Sequence, residues 1–177
     1  IRDRSRTFQN LQVCMNMTAC KNVMLGAHLH TRSSLLGGMT GATRRADAAL
    51  REEALRLIDY VGVGRHAHAH ATQLSFGLLK RLEIARALAS RPRILLLDEP
   101  AAGLNDTETH EITELIRSIA ASGVTVLLVE HDMKLVMNIS DHLLVLDYGR
   151  KLAEGTAAEV RANPQVIAAY LGTEAEA

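Results

Sequence analysis

The sequence predicts an α/β fold, on three observations. The apolar run Ile94-Leu95-Leu96-Leu97 stands between Arg93 and Asp98, the pattern of a strand covered on both faces. A second such run, Val124-Thr125-Val126-Leu127-Leu128-Val129, reads as another buried strand. Between them, Thr107 to Ala121 carries Ile112, Leu115, Ile116 and Ile119 on one helical face. Pro100 has no N–H to give a ladder, so the first strand stops before it. Asp98 and Glu99 therefore fall at the carboxyl end of a central strand, where open α/β sheets bind ligands. An Asp there can hold Mg²⁺ directly or through water, and a Glu can polarise an attacking water.

Composition narrows the class. Of 177 residues, 47% are hydrophobic and 23% charged, which predicts a soluble globular protein. Twenty basic and twenty acidic residues cancel to a net charge of zero (20 and 20 in the sequence), and aromatic residues are 3% with no Trp. Neither a basic footprint nor a base-stacking platform is present, so nucleic acid is not an expected partner. Cys14 and Cys20 form no framework and read as free thiols of a reducing compartment. No apolar run approaches the roughly 20 residues that cross a bilayer, and no signal peptide appears. The chain opens at Ile1, without Met, and reads as a fragment of a longer protein.

The elements follow in order. Arg6-Thr7-Phe8-Gln9-Asn10 is a short strand giving way to an amide-rich turn. Thr18 to Gly26 reads as a short helix with Thr18 as N-cap and Gly26 as its stop. Residues 31 to 43 are loop-like, and no Lys follows their glycines in the place a phosphate-binding loop requires. Ala46 to Val61 is an amphipathic helix with Leu50, Ala54, Leu57 and Val61 on one face, ended by Gly62. His66, His68 and His70 alternate in a segment without Cys, Asp or Glu, which favours an exposed loop over a metal claw.

Ser75 then caps a long helix running to the break at Arg91-Pro92, with Leu78, Leu82, Ala85 and Leu88 on one face. Gly77 strips a side chain from its first turn. A hydroxyl and bare amides at a helix N-terminus make a ready anion site. Beyond the second buried strand come Glu130-His131-Asp132, a helix from Met133 to Ser140, and a hairpin of His142–Leu146 with Lys151–Glu154 about the turn Asp147-Tyr148-Gly149-Arg150. Thr156 and Glu159 have capping-box spacing. Asn163-Pro164 opens a last helix ending near Leu171-Gly172, and the acidic tail from Glu174 frays.

Leu74-Ser75-Phe76-Gly77 with its helix, followed closely by Ile94-Leu95-Leu96-Leu97-Asp98-Glu99-Pro100, resembles the signature motif and Walker B of an ABC transporter ATPase. The order and spacing of the two motifs make the resemblance specific, and it covers essentially the whole chain. It implies a P-loop NTPase, RecA-like core with an inserted α-helical subdomain. Residues 1–12 would end the first RecA-like part and carry the Q-loop. Residues 13–89 would form the helical subdomain, and 90–177 the second half of the core.

By the same resemblance Gln9 is the Q-loop glutamine, a contact for Mg²⁺ and water. Ser75 and Gly77 bind the γ-phosphate of ATP held by an opposite subunit. Asp98 serves Mg²⁺, Glu99 is the general base, Asn105 lies in the D-loop, and His131 is the switch histidine. The implied cofactors are ATP and Mg²⁺. The implied partners are a second ATPase subunit, identical or homologous, transmembrane permease subunits and, indirectly, a solute-binding protein. The implied place is cytoplasmic, on the inner face of the plasma membrane. Arg6-Thr7-Phe8-Gln9-Asn10, Leu82-Glu83-Ile84-Ala85-Arg86-Ala87-Leu88, Ala101-Ala102-Gly103-Leu104-Asn105 and Val166-Ile167-Ala168-Ala169-Tyr170-Leu171-Gly172 look like the branched-chain amino acid importers, in their G-type subunit.

Three departures stand against the pattern. Leu78 occupies the usual Gln position of the signature, and Asn105 stands where many relatives have Asp. No G-x-x-x-x-G-K-[ST] occurs; the lysines are Lys21, Lys80, Lys134 and Lys151, and none follows Gly. Truncation upstream is the expected reason, which leaves this piece alone inactive as an ATPase. The alternative is a short, non-catalytic cassette acting as a docking or regulatory module. An ABC ATPase of DNA repair or translation would carry a coiled-coil insertion or a second cassette, and the sequence has neither.

Overall fold

The computed structural model describes residues 4–7, 12–27 and 42–171. Gln9, the turn around it, the glycines of 31–41 and the tail from Gly172 lie outside the described residues. The chain divides into two units, Ile1–Val129 and Glu130–Ala177.

The first unit is organised on a three-stranded parallel sheet of order β1-β2-β3: β1 Arg4–Arg6, β2 Ile94–Asp98 and β3 Thr125–Val129. β2 is its central strand, pairing Arg6 with Leu96 on one side and Asp98 with Val129 on the other. Leu95 and Leu97 are fully buried, while Ile94, Leu96 and Asp98 on the opposite face are half-buried. β3 departs from the expected buried strand. It ends the described order of strands, and Leu127 and Val129 are 54% and 56% exposed. An apolar run signals two-sided cover only where neighbouring elements supply it, and within this unit one face of β3 has none. The helix between these strands, α4, spans Asp106–Ala121 and buries Ile112, Thr113, Leu115, Ile116 and Ile119. Gly123, at φ 94°, turns the chain back into β3.

The other α-helices described in this unit are α1 Ala19–Ala27, α2 Ala42–Tyr60 and α3 Phe76–Leu88, with short 3-10 turns at Gly64–His66 and Ala71–Gln73 between α2 and α3. Thr18 caps α1 through Lys21 N–H at 3.3 Å. Gly26 does not stop α1; it lies inside it, and a Cβ there would come 2.1 Å from the carbonyl oxygen of Arg86 on α3. Glycine is needed at this point for helix-to-helix approach rather than for a positive φ. α2 begins four residues earlier than its apolar period suggested, and buries Ala54, Ile58 and, just beyond it, Val61.

In the alternating His segment the three histidines are exposed, but it is not a plain loop: His66 ends a 3-10 turn, His70 bridges Thr18, and Ala67 is buried. The segment serves α1. The carbonyls of Ala69 and Ala67 accept from Ala19 and Cys20 N–H at 3.0 and 2.9 Å. Two of the unpaired amides of a helix N-terminus are thereby satisfied. Among the described residues no three His, Cys, Asp or Glu gather where a metal ion could be held.

α3 differs from the single apolar stripe read from its period. Gly77, Leu79, Lys80, Leu82, Glu83, Ile84, Ala85 and Leu88 are all buried, whereas Leu78 is only half-buried. The helix packs against α1 and α2 and also touches β1, so it is covered from more than one side. A helix enclosed in this way loses the link between polarity and exposure.

The second unit holds α5 Met133–Ile139, the antiparallel hairpin β4 Leu143–Asp147 with β5 Arg150–Gly155, and α6 Ala157–Arg161. α7 Pro164–Val166 leads into a wide final turn, Ile167–Leu171. Tyr148 and Gly149, at φ 45° and 75°, give the two-residue turn whose twist suits a hairpin. Met137, Leu143, Val145, Val160 and Val166 form the core. Both caps read from the sequence are present: the Thr156–Glu159 box, and Asn163 accepting from Gln165 N–H ahead of Pro164.

Candidate functional site

The site is built at the carboxyl end of β2. Asp98 is the last residue of the strand. Its Oδ2 accepts from Arg6 Nη2 of the neighbouring strand at 2.9 Å. Among the described residues no metal cage surrounds it. Asp98, partly exposed and with Oδ2 on Arg6, offers a single carboxylate, and that fits Mg²⁺ that brings phosphate and water ligands with it.

Glu99 follows in the left-handed region at φ 46°, which costs a non-glycine residue roughly 1–2 kcal/mol. Three main-chain bonds hold it there. Its N–H donates to Val129 O at 2.9 Å, and its carbonyl accepts from Ala102 N–H at 3.2 Å and from Lys80 Nζ at 3.2 Å. The bend turns the chain out of the strand before buried Pro100. Backbone strain sustained by surrounding bonds is a feature that clusters at active sites.

Ser75 stands at the N-cap of α3, its Oγ accepting from Leu78 N–H at 3.4 Å. Ser75 is exposed and Gly77 buried. A Cβ at Gly77 would lie 2.5 Å from Oε1 of Glu108, on the first turn of α4. Asn105 caps α4: its side chain accepts from Glu108 N–H at 3.0 Å, and Glu108 Oε2 accepts from Asn105 N–H at 3.2 Å. Phe76 leans on Gly103, where a Cβ would be 3.2 Å from its ring. The start of α3, the turn after β2 and the start of α4 therefore meet in one place, with Ser75, Gly77, Glu99 and Asn105 on them. Sequence spacing could not show that contact.

His131 belongs to the second unit and is 72% exposed at its side chain, its Nδ1 lying 3.8 Å from Glu130 Oε2. Asp132 beside it caps α5 through Lys134 and Leu135 N–H. Gln9 lies outside the described residues. Sequence reasoning passed over Lys80, Glu108 and Arg6. Lys80 falls on what reads as a polar helix face, yet it is 4% exposed. Glu108 had one available signal, its place three residues after a capping Asn. Arg6 had none, because its partner is set by strand register.

This arrangement, a parallel strand ending in Asp-Glu-Pro beside a serine-capped helix, is that of an ATP-binding cassette, and the chain belongs to the ABC transporter ATP-binding family. The family model described as "ABC transporter" matches residues 2–102. A second, "Branched-chain amino acid ATP-binding cassette transporter", matches residues 150–176.

Among relatives, the high-affinity branched-chain amino acid transport ATP-binding protein BraF of Pseudomonas aeruginosa is 47% identical over 94% of this chain and 67% of its own length. LivG of Escherichia coli K12, with the same description, is 44% identical over the same shares, 94% and 67%. The chain thus spans about two thirds of the length of both (67%). In structure it resembles the ADP conformation of MJ1267, an ATP-binding cassette of an ABC transporter. The TM-score is 0.76 at 28% identity, covering 96% of this chain and 68% of the other. It also resembles the dimeric post-hydrolysis cassette MJ0796 bound to ADP and Pi, with TM-score 0.72 at 28% identity, over 88% and 64%. The fold is accordingly the P-loop NTPase fold of these cassettes.

Proposed function

We propose that this chain is part of the ATP-hydrolysing subunit of an importer for branched-chain amino acids. The observation that carries the reading is Glu99: a carboxylate at the end of the central strand, held in a strained turn against the serine-capped helix. In this reading Asp98 and, by the family resemblance, Gln9 would hold the Mg²⁺ that accompanies ATP and offsets its phosphate charge. Glu99 takes a proton from water as its oxygen attacks the γ-phosphorus, the bond to ADP breaks, and inorganic phosphate leaves. His131 steadies the γ-phosphate. Ser75, Gly77 and Asn105 act across a dimer, capping the nucleotide of the facing subunit, and closure and reopening of that dimer move the permease.

The similarity to BraF and LivG supports the solute class, and the dimeric MJ0796 cassette supports the sandwich. No described helix is long and apolar enough to cross a membrane, which suits a peripheral subunit on the inner face of the plasma membrane. The division into residues 1–12, 13–89 and 90–177 belongs to this reading. So does the expectation that the 177-residue piece alone does not hydrolyse ATP, since it carries no phosphate-binding loop of its own.

The test is Glu99→Gln in the full-length protein, assembled with its permease. ATP affinity should be kept and turnover should fall by about two or more orders of magnitude. Near-normal turnover would remove Glu99 from the role.

A further inference from the structure

Lys80 is a buried cation that the proposed mechanism does not use. Its side chain leaves α3 two turns before the helix ends, and the residue is 4% exposed. The ammonium donates to the main-chain carbonyl of Glu99 at 3.2 Å and stands 5.6 Å from the centre of the Phe76 ring. Burying an ammonium is unfavourable unless polar groups replace its water, and here a carbonyl and an aromatic face do so. The carbonyl belongs to the one residue at this strand end with a left-handed backbone, Glu99. That oxygen also accepts from Ala102 N–H at 3.2 Å.

Two donors therefore converge on the peptide that follows the proposed base, one from the turn and one from the signature helix. An amide donor can move with its own loop, but Lys80 is anchored on a helix packed against α1 and α2. It ties the orientation of the Glu99 peptide to that helix.

We infer that Lys80 is a positioning residue: it holds the Glu99–Pro100 turn from α3 and so sets where the Glu99 carboxylate stands for hydrolysis. This rests on Glu99 being the base, as proposed above. Lys80 acts through the main chain of residue 99, so its effect belongs in turnover rather than in nucleotide affinity. The charge-assisted bond is the active feature, because the aliphatic stem alone would fill the space equally well.

The test uses the full-length protein with its permease. Lys80→Met keeps the stem and removes the donor, and Lys80→Arg keeps a donor. Lys80→Met should lower kcat for ATP at least tenfold, with KM and ATP affinity within twofold of wild type. Lys80→Arg should recover most of the loss. Hydrogen exchange should rise in residues 98–104 of Lys80→Met. If Lys80→Met does not accumulate folded, Lys80→Gln replaces it, being uncharged and too short to reach, with the same loss expected.

Unchanged kcat with wild-type exchange in 98–104 would overturn the role of Lys80 and leave the ATPase reading standing. So would a loss confined to KM, which marks nucleotide binding, or an equal loss in Lys80→Arg, which marks packing. A wild-type protein that hydrolyses no ATP would overturn the ATPase reading and this role together.

Discussion

Lys80 Nζ donates to the main-chain oxygen of Glu99, 3.2 Å away, so α3 is bonded to the turn that carries the acidic pair. The bond joins residues 19 positions apart in sequence, across the whole connection from α3 through β2. It reaches the main chain rather than the carboxylate, which leaves side-chain chemistry and backbone geometry at residue 99 separable by mutation.

That separation can be measured. Glu99→Ala and Glu99→Gly both remove the carboxylate, but only Gly adopts φ 46° without strain. The Gly variant should be more stable than the Ala variant by about 1 kcal/mol, read as a difference in urea midpoint at equal slope. Both should have lost turnover. An Ala variant as stable as the Gly variant would show that the turn is not strained in solution.

Gly26 makes a stronger demand. A methyl group there meets the Arg86 carbonyl at 2.1 Å, and neither backbone can yield without parting α1 from α3. Gly26→Ala should therefore cost about 1–3 kcal/mol, against the small gain that Ala ordinarily brings inside a helix. Chemical denaturation settles the sign.

A Cβ at Gly77 has Glu108 Oε1, Cδ and Cγ as its nearest atoms, at 2.5, 2.9 and 3.3 Å, all on one flexible side chain. In Gly77→Ala the glutamate can swing away, at the cost of its bond to Asn105 N–H. The expected loss is about 1 kcal/mol, the worth of a helix cap, and it should vanish in a Glu108→Ala background. A double-mutant cycle with zero coupling would separate Gly77 from α4.

In the second unit, Glu159 accepts from the N–H of Thr156 at 2.8 Å and from its hydroxyl at 2.9 Å. The main-chain bond first, and then the hydroxyl, hold the Glu159 carboxyl below the ordinary carboxylate range. Its pKa is thus lower folded than unfolded. The stabilisation is complete above the unfolded value and is lost as pH falls through the folded one. Glu159→Gln should lower the melting temperature at neutral pH, and the difference from wild type should shrink on acidification and close at the acid end. A gap that stayed constant with pH would assign the loss to packing.

Apart from the short 3-10 turns Gly64–His66 and Ala71–Gln73, local pattern in the chain was enough for the main strands and helices, the caps at Thr18, Ser75, Thr156 and Asn163, and the order in which the acidic pair and the capped helix occur. These rest on local physics: apolar period, a proline that cannot donate, and side chains that bond their own backbone within one turn. Tertiary structure alone decided which buried or polar-looking residues were what they seemed. Lys80 and Glu83 are enclosed because α3 is covered from several sides, Leu127 and Val129 are open because β3 lacks cover within its unit, and Gly26 is a contact rather than a stop. Exposure, register and close approach depend on what lies opposite a residue, and that neighbour is generally far away in the chain.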